Sequence, residues 1–142
     1  MALKNALLTL NQKETIFFTA ACEKSCNQRG SGFWKKGYVE LAFNDRKLAG
    51  NAAYYFHLFY AFNHNWFWKQ KHEAVVHYHF ELEITNFWKQ QFEAFTVTVW
   101  SYTEVMPSDE RAQTAWDWAL NTFVDFMRTQ TLPPGHTYIP VF

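Results

Sequence analysis

The chain of 142 residues lacks an excess of charge of either sign: 13 Lys and Arg balance 13 Asp and Glu. Proteins that hold a nucleic-acid backbone draw most of their non-specific affinity from surplus Lys and Arg, so no nucleic-acid partner is expected. Zero net charge also removes the self-repulsion that keeps many proteins monomeric. Cysteine is scarce. Cys22 and Cys26 are too few for a thiolate metal cage. Spaced four apart on a predicted helix they share a face, where a disulfide would close almost no loop. They read as reduced thiols of a cytosolic protein, with a redox pair as the alternative. No apolar run reaches the roughly 18 residues of a membrane span. The closest, Ala52 to Phe62, is short and contains His57. Lys4 and Asn5 interrupt the apolar start, and no small-residue cleavage pattern follows, so it does not read as a signal peptide. The expectation is a soluble protein of the cytoplasm or of an assembled particle, without a membrane partner. Familiar catalytic signatures are missing as well. Gly30-Ser31-Gly32 lacks the Lys-Ser or Lys-Thr of a phosphate loop, and neither Gly-x-Ser-x-Gly nor His-Glu-x-x-His occurs.

What is plentiful is aromatic: 15 Phe, 7 Trp and 7 Tyr. A domain of this size does not easily hide so many rings, and Trp and Tyr favour places where one end is apolar and the other wet. Part of this surface is expected to meet a partner, a ligand or another subunit. The plainer account is an oversized aromatic core with a few exposed rings.

Leu3, Ala6, Leu7 and Leu10 have helical spacing, and Asn11 with Glu14 resembles a capping box. Ile16, Phe17, Thr19 to Ala21 and Cys22 continue a helical pattern, so one kinked helix or two short ones are predicted up to about Asn27. Tyr38, Val39, Leu41 and Phe43 suggest a strand. Ala53 to Phe62 is dense in Tyr and Phe and is predicted as a strand too, with a buried helix over Val39 to Phe62 as the rival. The clearest segment is Val76 to Ile84, where apolar residues alternate strictly with His77, His79, Glu81 and Glu83. Phe92 to Val105 follows as its neighbour. Pairing Tyr78 with Val99, Phe80 with Val97 and Leu82 with Phe95 keeps one face apolar.

Ser108 or Asp109 caps a last helix, on which Ala112, Ala115, Trp116, Ala119, Leu120, Phe123, Val124 and Met127 form one stripe. Tyr138 to Phe142 reads as a short final strand or arm. The whole chain, 1–142, is thus expected to be one α+β domain. Its antiparallel sheet has about four strands, with an N-terminal helical segment and a C-terminal amphipathic helix packed on one face.

Candidate site residues follow from these faces. His77, His79 and Glu83 lie on one strand face, a set that suits zinc or another divalent metal. His57 joins them if its segment is a neighbouring strand. The His-x-His-x-x-x-Glu spacing resembles the first metal motif of the cupins, without the glycines around that motif or a second downstream histidine outside the tail. The plainer account is a polar, solvated sheet face. Trp100 and Tyr102 share that face and offer rings for stacking a partner or a sugar. Phe67-Trp68-Lys69-Gln70 recurs as Phe87-Trp88-Lys89-Gln90, so Trp68 and Trp88 either grip a partner or anchor their connections to the core with Lys facing water. Trp118 and Phe126 flank the helix stripe, and with Tyr138, Ile139 and Phe142 they are candidate interface residues.

These features point to a non-catalytic structural or interaction protein without a cofactor, acting as a homo-oligomer, with copies of itself and a second protein as the expected partners. The element order is similar to that of small phage tail-completion proteins, which form rings, at the level of fold analogy alone. The alternatives are a metal-binding protein or metal-dependent enzyme, and an aromatic-lined binder of a small molecule or sugar.

Overall fold

The computed structural model describes residues 2–12, 15–30, 32–69 and 76–142, without the side chains of 26–29 and 66–69. Helix α1 (Ala2–Leu10) leads into strands β1 (Phe17–Arg29) and β2 (Gly32–Phe43). A short helix α2 (Arg46–Ala49) and the long α3 (Ala52–Lys69) follow, then β3 (Val76–Phe87), β4 (Phe92–Thr103) and α4 (Asp109–Arg128). The strands form one antiparallel sheet in the order β1-β2-β4-β3, so the fold is α+β. Helices α1, α3 and α4 gather on one face. Helix α1 packs against α4 and β1, α4 lies over β2 and β4, and α3 stacks Phe59 on Phe80 and sets Phe62 edge-on to Tyr78 of β3. Among the described residues, no helix is long and apolar enough to cross a membrane.

The helix-side face carries Val39 opposite Val99 and Phe80, and Leu41 opposite Val97 and Leu82. The stripe of α4 settles on it: Ala112, Trp116, Ala119, Leu120, Phe123, Val124 and Met127 are all buried. Ser108 caps the helix, its hydroxyl accepting from Arg111 N–H at 3.2 Å. Trp116 approaches the sheet so closely that a Cβ on Gly37 would stand 2.7 Å from its ring and 2.7 Å from the Glu23 carbonyl. Gly37 is the gap in β2 that the indole fills, and the indole N–H donates to the Ser101 carbonyl at 3.2 Å.

Three expectations are corrected. The segment up to Asn27 is not helix: α1 stops at Leu10, and the chain turns into β1. Asn11 donates to the Leu7 carbonyl at 2.8 Å and accepts from Thr19 N–H at 3.0 Å, which stitches the end of α1 to the strand. The pairing register shifts between Thr19 and Ala21, and such a bulge breaks the period-two pattern that would have betrayed a strand. Ala53 to Phe62 is helix rather than strand. Its buried residues Tyr55, Leu58, Phe59 and Phe62 fall at helical spacing, and burying those large side chains outweighs the weak helix preference of Tyr and Phe. The β3–β4 register is two residues away from the expected one: Tyr78 faces Ser101, Phe80 faces Val99 and Leu82 faces Val97. A two-residue slip leaves every side chain on its face, so the apolar pattern fixed the faces while the reversal at Trp88–Gln91, with Gln91 at φ 50°, set the pairing.

After α4, Tyr138 to Phe142 is an arm and not a strand. It is tied down by its own backbone. Ile139 N–H donates to Asp45 at 3.1 Å, and Val141 and Phe142 N–H both donate to Asn44 at 3.0 Å. The order is therefore helix, two strands, two helices, two strands, helix, which departs from the order behind the tail-completion analogy.

Candidate functional site

The face of the sheet away from the helices is built by alternation. Residues that pair across strands share a face, and three rows can be read from the register. The first is Ser25, Lys36, Tyr102 and His77. The second is Glu23, Tyr38, Trp100 and His79, and the third is Ala21, Glu40, Thr98 and Glu81. Glu83 continues the face opposite Thr96. The expected sharing of one face by His77, His79, Glu83, Trp100 and Tyr102 is thus what the register produces.

The rings on this face touch one another. Tyr38 and Trp100 have centroids 4.7 Å apart, His77 stacks on Tyr102 at 5.3 Å, and the Lys36 ammonium lies 4.5 Å from the centre of the Trp100 ring. The carboxylates line the same surface. Glu104 takes His77 Nε2 at 2.7 Å, and Glu81 takes His79 Nε2 at 3.2 Å. All four of these side chains are roughly half exposed, where ion pairs contribute little to stability. A shallow groove of about 240 Å³ opens at one end, lined by Trp34, His77, Tyr102, Thr103, Glu104 and Val105.

The chain matches no family model, no curated protein and no solved structure.

Its geometry therefore has to speak for the site. The two strand histidines turn to different carboxylates, and His57 is exposed on α3, on the other layer, so it does not join them. Among the described residues, no three His, Cys, Asp or Glu side chains gather as a metal set.

The remaining candidates scatter. Trp118 is 47 % exposed on α4, whereas Phe126 turns inward against Phe62, ring centres 5.2 Å apart. Tyr138, Ile139 and Phe142 are exposed on the arm, yet Phe142 also makes edge contacts with Phe18 at 4.6 Å and Phe87 at 5.7 Å. The arm thus rests on its own chain at the end of the open face and walls a hollow of about 590 Å³ with Asn11, Thr15, Phe17 and Phe18. Trp88 does not anchor its connection: it is 80 % exposed at the β3–β4 reversal, and Phe87 is the half-buried ring there, edge-on to Phe18. Its counterpart Trp68 closes α3, which puts the two copies of the repeat on unlike structures; the Trp68 side chain lies outside the described residues, as do that of Cys26 and all of His72.

Several groups carry weight that the sequence did not announce. Asp45 is fully buried. It caps α2 through Lys47 and Leu48 N–H, both at 3.0 Å, and meets His136 Nε2 of the arm at 2.9 Å. Burial works to raise its pKa, but hydrogen bonds from Leu48, His136 and Ile139, with the charge of His136, outweigh that and leave it below the ordinary carboxylate value. Tyr55 donates to the Phe95 carbonyl and accepts from Phe43 N–H at 3.2 Å. Tyr78 donates to the Ala119 carbonyl. Burial pushes both phenols well above their usual pKa, so they act as fixed hydrogen-bond donors inside the layer. Lys35, nearly buried, reaches Asp109 at the start of α4 at 2.9 Å. Helix α3 is the largest surprise: from Ala52 to Trp68 it has no Asp, Glu, Lys or Arg, and its outward side presents Ala53, Phe56, His57, Tyr60, Ala61 and His64 to solvent.

Proposed function

We propose that the protein is a non-catalytic interaction subunit that works as a homo-oligomer, with the outward face of α3 in the contact between copies. The observation that carries this reading is the pair Phe56 and Tyr60, one helical turn apart and 66 % and 75 % exposed, on a helix without a charged residue before Lys69. A helix with no charged side to turn to water belongs in an interior, and one side of α3 already faces its own sheet. Exposed aromatic patches of this kind mark association surfaces. A second copy presents the same uncharged face, so a two-fold contact buries both without stranding a charge. Zero net charge favours the same outcome.

Sedimentation velocity tests it. The wild-type protein is expected to run as a multiple of the 16.9 kDa chain, and the double variant Phe56→Glu, Tyr60→Glu as a folded monomer. A wild type that stays monomeric at tens of micromolar, or a double variant of unchanged mass, rules the reading out.

A further inference from the structure

The open face of the sheet combines two features that are chemically one. Its centre is aromatic, with Tyr38, Trp100 and Tyr102 half-buried, Tyr38 against Trp100 and Tyr102 against His77. Its margins are acidic: Glu23, Glu40, Glu81, Glu83 and Glu104 lie on or beside it, against Lys36 as the single Lys or Arg of the three rows and Arg29 further along β1, opposite Gly32. Among the described residues, Glu23, Glu40 and Glu83 have no ion pair. Ring faces attract cations through their quadrupole, Trp most strongly, and surrounding carboxylates supply the hydrogen-bond acceptors that a guanidinium or ammonium needs. Lys36 shows the seat in use: its ammonium sits over the Trp100 ring. The groove at the end of the face repeats the chemistry, with the Trp34 and Tyr102 rings beside the Glu104 carboxylate and room for one long side chain.

We propose that this open face docks a basic peptide segment of a partner protein, holding its arginine or lysine side chains against Tyr38, Trp100 and Tyr102 and pairing them with the surrounding glutamates. The surface is broad and shallow apart from the groove, which suits an extended chain better than a compact small molecule. The carboxylates repel a phosphate backbone, so a single-stranded nucleic acid, which also stacks on aromatic platforms, is disfavoured by charge. Helix α3 lies on the opposite layer, so self-association there leaves this face open, and the two proposals stand or fall separately. Lys36 then competes with the incoming cation for Trp100, and removing it both vacates the ring and makes the face more acidic.

Fluorescence anisotropy with a labelled peptide of alternating arginine and serine, read on the full chain, tests the proposal. The wild type is expected to bind, less tightly as salt is raised. Glu40→Gln with Glu81→Gln is expected to weaken binding about tenfold, from two lost charge-assisted contacts. Lys36→Ala is expected to tighten it about threefold, and Glu110→Gln with Asp125→Asn, on exposed positions of α4, to leave it unchanged. The Glu-to-Gln changes keep size and shape at the surface, so loss of fold does not mask the answer. No binding by the wild type, an unaltered affinity in the Glu40, Glu81 variant, or weaker binding after Lys36→Ala would each overturn the proposal. Equal binding of an oligothymidylate would do so too, by assigning the face to single-stranded nucleic acid.

Discussion

Helices α3 and α4 have similar lengths and pack on the same sheet face, but they are built on opposite plans. Helix α4 is divided: a stripe from Ala112 to Met127 is buried, while Glu110, Asn121, Asp125 and Arg128 face water. Helix α3 is not divided. Tyr55, Leu58, Phe59 and Phe62 are buried, and the opposite side is aromatic and uncharged instead of charged. An amphipathic helix is complete once its stripe meets the sheet. One with large rings on both sides and no charge is satisfied on one side only, and this is the physical content of the oligomer proposal.

The comparison can be broken most forcefully inside the layer. Phe62 is buried among Tyr78, Phe80, Phe123 and Phe126, so Phe62→Ala is expected to cost about 3–5 kcal/mol, the range for a buried Phe reduced to Ala. Phe56→Ala, on the outward side of the same helix, is expected to stay within about 0.5 kcal/mol when unfolding is followed in the dissociated chain. Urea unfolding of both variants decides it, and equal losses would mean that α3 has no free side.

A smaller effect probes how α2 and α3 are held to the arm. Because Asp45 has a lowered pKa in the folded state, its contribution is present in full above the ordinary aspartate value of about 3.9 and is lost as pH falls below it, through the folded value. Thermal midpoints measured downward from pH 5 should fall more steeply for the wild type than for Asp45→Asn. The variant should be less stable at pH 7 by about 1 kcal/mol, because an asparagine keeps the cap through its one carbonyl oxygen but cannot also accept from His136 and Ile139 N–H. Parallel curves would remove Asp45 from this role.

The smallest effect is expected on the open face. His77→Ala and His79→Ala should each change stability by less than about 0.5 kcal/mol, as exposed positions do, and a chelator should leave the thermal midpoint of the wild type where it was. A midpoint that drops on chelation would revive a metal at His77, His79 and Glu83 by linkage.

Much of the architecture was legible, and the reasons are local. Val76 to Ile84 alternates so strictly that its faces follow from steric geometry alone, and α4 combines a cap, a stripe and charged flanks that agree. Helix α3 was not legible, because Tyr and Phe favour strands in isolation and only the sheet beneath them makes their helical spacing worthwhile. Strand β1 was hidden by its shift at Thr19 and Ala21 and by its place at the sheet edge, where few of its side chains need to be apolar. Of the candidate site, the company of His77, His79, Trp100 and Tyr102 was readable from period two. Phe56 and Tyr60 were not, since which side of an uncharged helix with rings all round faces water depends on what it packs against.

The sequence alone therefore determined the composition of the faces: aromatic and neutral overall, one strand apolar on one side and acidic on the other, one helix divided. These follow from side-chain direction along a strand or helix, which is a property of the local backbone. Tertiary structure alone decided which faces meet. It set the register at the Trp88 reversal, brought His136 to Asp45 across 91 residues, placed His57 on the layer away from His77, and left one side of α3 and one face of the sheet uncovered by the described residues. Those outcomes depend on how the pieces share a single interior, and no window of sequence contains that interior.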